Sequence, residues 1–349
     1  MRLRDILLSS ALALTIAAVG GTALAQPTPM AITPELIAAA KKEGKVVYYT
    51  AVDVKVAEQV AKVFEAKYPG VAVQVERSGA ERVFQRIGQE YSSKIYNVDV
   101  VNSSDAAHFV HWKREGWLAP VMPEDVAKHY APAYRDPDGL FAAWRITLSP
   151  IAYNTKLVTA AEAPKSFADL LDPKWSGKIV KAHPGYSGTI LTQTFQVSRD
   201  VGWSYFEKLA LQKVMQVQSA TDPPNKVVSG ERPIMSDGTE YNVLLLKASG
   251  APIEVVYPSE GTPLVIGPSG VMKNAPNPNA ARLFQIWSFT QEAQQKMVDI
   301  GQLRSAHPAV KEPAGRKPLS EIKLMKDDPV EVDKQVEEIK ARYTRNFKT

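Results

Sequence analysis

The chain has 349 residues, 45% of them hydrophobic, and contains no cysteine. Disulfides, thiolate metal sites and a cysteine nucleophile are therefore excluded, and the length suffices for two domains of ordinary size. The net charge of +5 is small, and basic and acidic residues are interspersed without a long Lys/Arg block, so the composition does not indicate nucleic-acid binding.

The first 25 residues have the pattern of a secretory signal peptide. A basic start precedes an apolar run over residues 6–19, and the small residues Ala23 and Ala25 suit a signal peptidase. The run is shorter than the roughly 18 to 20 apolar residues that span a bilayer. We expect cleavage after Ala25 and a mature periplasmic protein that is monomeric and not embedded in the membrane.

Strands and helices alternate along the first part of the mature chain. Runs of β-branched and aromatic residues predict strands at 46–49, 71–75 and 98–101, with helical patterns between them. This alternation indicates a parallel sheet covered by helices, whose ligands lie beyond the C-terminal ends of the strands. The candidate binding residues at these ends are Asp53, Arg82, Ser103 and Ser104.

Two long apolar segments, at residues 144–153 and 255–272, predict crossovers between this unit and a second α/β unit. Two crossovers make each lobe discontinuous and leave a cleft with a hinge beneath it. The predicted organisation is a signal peptide (1–25), lobe 1 (26–145 plus 262–310), lobe 2 (146–258) and a C-terminal helical segment that packs on the lobes (311–349).

Six strings, in order along the chain, resemble the ferric-iron type of ABC-importer solute-binding protein. They are VVYYT at 46–50, FEAKYPG at 64–70, YNTKL at 153–157, LLDPKW at 170–175, PGYSGT at 184–189 and EGTP at 260–263. The resemblance covers essentially the whole mature chain. It implies an α/β type II periplasmic-binding fold with two lobes, a hinge and a central cleft, and a binding protein rather than an enzyme. It also implies delivery of the ligand to a permease and ATPase.

The sequence departs from that family at the iron ligands. The resemblance places Asp53 and Ser104 at the first two ligand positions, and Glu240 and Tyr241 where the family has two adjacent tyrosines. Ferric iron prefers several anionic oxygens, so the loss of a phenolate and a carboxylate weakens the set. Iron held by Asp53, Glu240 and Tyr241 with a synergistic anion is therefore the alternative, and no other cofactor is expected.

Other features favour a small organic anion, namely a carboxylate, hydroxy acid or phosphonate. Ser187, Gly188 and Thr189 follow a turn and open a helix, where free N–H groups and the helix dipole attract anions. Arg82 and Arg145 each offer a planar guanidinium to such a group. An ordinary helix cap and solvated arginines are the alternatives for these residues.

The remaining candidates would complete the anion site. Asp237 and Glu240 would accept hydrogen bonds from hydroxyl or ammonium groups of the ligand. The hydroxyls of Ser103, Ser104 and Tyr241 would contact the ligand as well. His108 and His111 share one helical face, but their aromatic neighbours favour packing over a metal site. A periplasmic hydrolase built on Ser187 and His183 is the rival class, although position 189 is Thr where the nucleophile motif requires Gly.

Overall fold

The structure is a computed structural model that describes residues 27–349, and the predicted signal peptide lies outside the described residues. The described residues form two α/β lobes, each built on one sheet. In chain order the first elements are α1 (Pro34–Glu43), β1 (Lys45–Thr50), α2 (Val54–Lys67), β2 (Ala72–Arg77), α3 (Ala80–Ser92), β3 (Val100–Asn102), α4 (Ala106–Arg114), β4 (Leu118–Ala119), α5 (Glu124–His129) and β5 (Ala142–Leu148).

The chain then enters lobe 2 and later returns to lobe 1. The next elements are β6 (Ile151–Asn154), β7 (Ile179–Ala182), α6 (Gly188–Asp200), α7 (Trp203–Ala210), β8 (Met215–Val217), α8 (Pro223–Val228), β9 (Ile234–Met235), α9 (Glu240–Ala248), β10 (Ile253–Val256), β11 (Leu264–Met272), α10 (Pro278–Ser288), α11 (Gln291–Gly301) and α12 (Pro329–Phe347).

The sheet of lobe 1 has six strands in the order β2-β1-β3-β11-β4, with β5 paired to β11. Strands β1, β2 and β3 are parallel, as the alternation of strands and helices predicts. β1 is buried along almost its whole length because helices cover both faces of a parallel sheet. The apolar residues Val56, Val60 and Phe64 recur at helical spacing and turn one face of α2 into the core.

Lobe 2 has a five-stranded sheet in the order β10-β6-β9-β7-β8. Strand β5 belongs to the sheet of lobe 1 and β6 to that of lobe 2, so the chain crosses between lobes just after Leu148. It returns between β10 and β11, and β11 runs antiparallel to β5. These two adjacent crossovers place a cleft between the lobes, with the C-terminal ends of β1, β2 and β3 on one side.

The last helix, α12, packs against both lobes. It contacts α4 of lobe 1 and α6 and α7 of lobe 2. Its buried face carries Val332, Ile339 and Tyr343. Within residues 27–349, each helix is too short or too polar to cross a lipid bilayer.

Candidate functional site

A small cavity lies between the lobes, and we call it the inner cavity. Its lobe 1 wall consists of the strand ends and the crossover strand β5, with Arg77, Gly79, Ser104 and Arg145 among its residues. The space for water-sized molecules is about 20 Å³, which is roughly the room that a single water needs. The lobes therefore stand close together in this arrangement.

Arg145, on β5, is a fully buried charge at the base of the inner cavity. It is only 2% exposed, its Nη1 donates to the Asn102 side-chain oxygen, and its Nε has no hydrogen-bond partner among residues 27–349. Burial lowers the pKa of Arg145, which the nearby phenol of Tyr241 opposes. A buried cation without a carboxylate partner is costly, so this side chain is suited to an anion that enters the cleft.

Arg77 is a second arginine of the inner cavity, and the sequence interpretation missed it. It ends β2, and its Nη2 donates to Ser219 Oγ of lobe 2 at 3.0 Å, while its Nε donates to the Val52 carbonyl oxygen at 3.3 Å. The rule that ligands lie beyond the ends of parallel strands is the signal that could have found Arg77. The predicted strand ends at residue 75, two residues before β2 ends, and the candidates beyond it do not include Arg77.

The lobe 2 wall presents the N-terminal ends of helices. Ser187 caps α6, with its Oγ accepting from the Ile190 amide at 3.4 Å, and Thr189 also lines the cavity. Thr239 is the N-cap residue of α9, but its hydroxyl donates to the Asn242 side-chain oxygen rather than accepting from a backbone amide of the first turn, which also contains Tyr241. Since α3 begins at the opposite wall, three helix N-termini with their positive dipole ends converge on the inner cavity.

Among the described residues, the charged groups that line the inner cavity are Arg77 and Arg145, and no carboxylate or histidine lines it. Asp53 instead caps α2 by accepting from the Lys55 amide at 3.0 Å. The backbone amide of Asp53 donates to Tyr241 Oη at 3.1 Å and so connects the lobes. Of the three residues in the alternative iron set, Tyr241 alone is among the cavity residues.

Glu240, which the sequence predicted to contact the ligand, does not line the inner cavity and has its partners elsewhere in the fold. Its carboxylate accepts from Arg304 Nε and Nη2, both at 2.8 Å, from Arg316 Nη2 at 2.7 Å, and from the Tyr257 hydroxyl. Burial raises the pKa of Glu240, but the two guanidiniums outweigh it and keep the pKa below its ordinary value. Glu240 is therefore the centre of a buried ion-pair network.

Asp237 and Ser103 also have partners away from the inner cavity, contrary to expectation. Asp237 lies 3.1 Å from the Lys181 ammonium and accepts from the Ala182 amide at 2.8 Å. Ser103 Oγ lies 2.8 Å from His108 Nδ1. Both residues are fully buried, so their polar groups are already satisfied within the fold.

Gly188 and Arg82 lie at the lobe interface but outside the inner cavity. A Cβ atom on Gly188 would come 2.6 Å from Cβ of Asp105 in lobe 1, so only glycine permits this approach. Arg82 is exposed at the mouth of the cleft, where its Nη2 donates to the Gln218 side-chain oxygen of lobe 2. Ser104, Arg145, Ser187, Thr189 and Tyr241 are the predicted residues that line the cavity.

His108 belongs to a buried cluster beside the cleft rather than to a metal site. Potential ligand atoms of Glu81, Asp105 and His108 lie within 4.8 Å of one another. However, Glu81 already accepts from His108 Nε2 at 2.9 Å and from the Lys340 ammonium of α12 at 2.7 Å. The ammonium would repel a metal cation, so the cluster is an ion-pair network between lobe 1 and α12.

Ser187 and His183, the pair that suggested a hydrolase, have separate partners. His183 Nδ1 accepts from the Gly185 amide at 2.9 Å, and its Nε2 lies 3.0 Å from Thr349 Oγ1. Ser187 Oγ serves as the helix cap. Burial and the Lys181 charge lower the pKa of His183 to about 4.

Comparison with known proteins agrees with this architecture. Residues 97–322 match the family model described as bacterial extracellular solute-binding protein. The chain is 24% identical to the periplasmic binding protein AfuA from Actinobacillus pleuropneumoniae, solved with fructose-6-phosphate, with a TM-score of 0.80 over 88% of this chain and 99% of that one. This likeness confirms the predicted α/β type II periplasmic-binding fold.

Curated proteins are also similar to this chain. An uncharacterized protein of Haemophilus influenzae is 29% identical over 48% of this chain, and the iron uptake protein A1 of Synechocystis is 26% identical over 64%. The matched regions cover 50% and 66% of those relatives. The chain therefore spans between half and two thirds of the length of the curated relatives it matches.

Proposed function

Because the chain belongs to the bacterial extracellular solute-binding protein family, we propose that it is the periplasmic solute-binding component of an ABC importer. Its ligand is a small organic anion that the lobes enclose and that the protein delivers to a permease with its ATPase. The protein acts as a monomer, which gel filtration tests directly. The likeness to AfuA, which was solved with fructose-6-phosphate bound, supports an anionic ligand, and the likeness to the iron uptake protein A1 supports the alternative.

The observation that carries the proposal is the charge of the inner cavity. Arg77 and Arg145 donate to neutral oxygens, and neither takes part in an ion pair among residues 27–349. Two guanidiniums and three helix N-termini favour a negatively charged group, and the low dielectric of a closed cleft strengthens the attraction. Hydroxyls of Ser219, Thr221 and Thr239 supply further hydrogen bonds to the ligand.

The chemistry of the arginines narrows the anion class. A guanidinium binds a carboxylate or phosphonate through two parallel hydrogen bonds, and two guanidiniums match a doubly charged group or a carboxylate with a neighbouring hydroxyl. Ferric iron is less well supported, because Glu240 is bound to Arg304 and Arg316 and the inner cavity carries two cationic side chains. Iron would require Glu240 to leave both arginines.

A thermal-shift screen with organic anions and Fe³⁺ tests the proposal. Anion at a hundredfold over its dissociation constant stabilises the folded protein by roughly 2.7 kcal/mol. Arg145→Met should abolish this shift without lowering the stability of the unliganded protein, since it removes a buried charge. Arg77→Gln should weaken the shift, and Arg199→Gln, at a surface residue paired with Asp200, should leave it unchanged.

Two results would overturn the proposal. One is an unchanged anion response in both Arg145→Met and Arg77→Gln. The other is a shift with Fe³⁺ alone, accompanied by a visible tyrosinate-to-iron absorption that Tyr241→Phe removes.

A further inference from the structure

A second pocket opens at the mouth of the cleft, and we call it the outer pocket. It is lined by residues 76–78, Arg82, Val83, Arg86 and Tyr49. Its space for water-sized molecules is about 380 Å³, against about 20 Å³ in the inner cavity. Arg77 lines both spaces, so the outer pocket and the inner cavity share a wall.

The sizes of the two spaces limit how a ligand fits. The inner cavity has roughly the room of a single water, so the lobes must separate slightly before even one anionic head group can enter it. An organic anion of several carbon atoms must therefore extend away from Arg145. The outer pocket meets the inner cavity at Arg77 and is large enough to hold the rest of such an anion.

The outer pocket also carries an arginine, Arg82, that has no negatively charged partner among residues 27–349. Arg82 donates to the neutral side-chain oxygen of Gln218, and its guanidinium lies 5.6 Å from the centre of the Tyr186 ring. Arg86 differs, because it forms ion pairs with Glu76 and with Glu90, the latter at 2.9 Å. From the interior to the mouth, three guanidiniums in a row thus bond only neutral oxygens within the described part of the chain, namely those of Arg145, Arg77 and Arg82.

We infer that the ligand is an elongated dianion with a negatively charged group at each end. This inference rests on the proposed function and specifies its substrate class. One end lies in the inner cavity between Arg145 and the start of α6, and the other lies in the outer pocket between Arg77 and Arg82. Arg82 is therefore a specificity-determining residue, because it distinguishes two-ended from one-ended anions.

The test compares matched pairs of probes by isothermal titration calorimetry. The two-ended probes are straight-chain dicarboxylates from malonate to pimelate and the phosphonocarboxylates of the same lengths. Each is paired with the monoanion of equal chain length. We expect the two-ended probes to bind up to about fivefold more tightly at the best spacer length, which is the upper limit for one partly exposed charge pair.

Variants separate this inference from the proposed function. Arg82→Gln should remove the preference for two-ended probes and leave one-ended binding unchanged, whereas Arg145→Met should abolish binding of both. Arg199→Gln is the matched control and should keep the preference, because Arg199 is an exposed arginine that is ion-paired with Asp200 and lines neither space.

Each contrary result has a definite meaning. Equal affinity for one-ended and two-ended probes in the wild type would refute the inference and leave the proposed function standing. Equal weakening of both probe types by Arg82→Gln would also refute it, since that outcome describes general electrostatic attraction at the mouth. Failure of all anions to bind would count against the proposed function itself.

Discussion

Gly188 of lobe 2 and Asp105 of lobe 1 approach so closely that a methyl group on Gly188 would overlap Cβ of Asp105 at 2.6 Å. The same methyl group would lie 3.2 Å from Cβ of Ala80. These atoms are the rigid bases of side chains, so they cannot move aside easily. The contact joins the starts of α4 and α6 when the lobes are together.

Gly188→Ala should therefore hinder lobe closure. We expect anion affinity to fall about tenfold, because overpacking of this kind costs about 1 to 3 kcal/mol. Stability in urea should not fall, since the open form accommodates the methyl group. Gly88→Ala, in α3 with open space around its Cβ, is the control and should raise the free energy of unfolding by about 0.5 to 1 kcal/mol with unchanged affinity. Unaltered affinity in Gly188→Ala would contradict closure at this contact.

Tyr241→Phe should weaken anion binding by about twofold to tenfold. The hydroxyl accepts from the Asp53 amide across the cleft and lines the inner cavity, and a hydrogen bond of this kind contributes about 0.5 to 1.5 kcal/mol. Calorimetric titration measures the change. Tyr153→Phe, in the core of lobe 2, is the matched control. If Tyr241→Phe binds anions as tightly as the wild type, the phenol has no part in the closed site.

Glu240→Gln should destabilise the protein by about 3 to 5 kcal/mol, because it leaves Arg304 and Arg316 buried without their carboxylate. Glu312 contacts the same two arginines at 3.1 Å but is 33% exposed, so Glu312→Gln should cost about 1 kcal/mol or less. Urea denaturation compares the two. If both variants lost the same unfolding free energy, burial would not determine how much each carboxylate contributes to stability.

The pH dependence of the Glu240 contribution has a definite sign. The folded-state pKa of Glu240 is lowered, so its stabilising effect is present above its unfolded pKa. That effect is lost as the pH falls through the folded value. The difference in unfolding free energy between wild type and Glu240→Gln should therefore shrink as the solution becomes more acidic than about pH 4.

Asp105 should make the stability of the protein depend on pH in the opposite sense, so that its contribution becomes less favourable as the pH rises. Burial raises the pKa of Asp105 to about 6, against the charge of His108, and its Oδ2 has no partner among the described residues. The folded protein then binds more protons than the unfolded chain between about pH 4 and 6, so this group lowers stability as the pH rises through that window.

Asp105→Asn retains the helix cap at the start of α4 and removes the titration. The variant should be more stable than the wild type, and this difference in unfolding free energy should be about 1 kcal/mol larger at pH 7.5 than at pH 5. Denaturation at both pH values measures this, with Asp53→Asn, which removes another capping carboxylate, as the control. A difference that does not vary with pH would contradict a buried titrating carboxylate at Asp105.

Local sequence patterns alone determined most of the secondary structure. The strands predicted at residues 46–49, 71–75 and 98–101 overlap β1, β2 and β3, because strand patterns depend on neighbours a few residues away. The order of strands and helices likewise predicted the two lobes, since parallel strands need a crossover between them.

The roles of individual charges were decided only by the tertiary structure. Glu240 has its arginine partners 64 and 76 residues away in sequence, and no local pattern reveals that they neutralise it. Arg77 and Arg82 are both near the end of β2, yet of these two residues Arg77 alone lines the inner cavity. Arg77 is the last residue of the strand, whereas Arg82 lies in the first turn of α3, and its position around the helix axis decides which way its side chain points. The burial and the partners of a charged side chain depend on contacts between segments that are distant in sequence. The sequence therefore predicted a cleft for an anion, and the tertiary structure alone showed that Arg77 and Arg145 are the charged residues that line it.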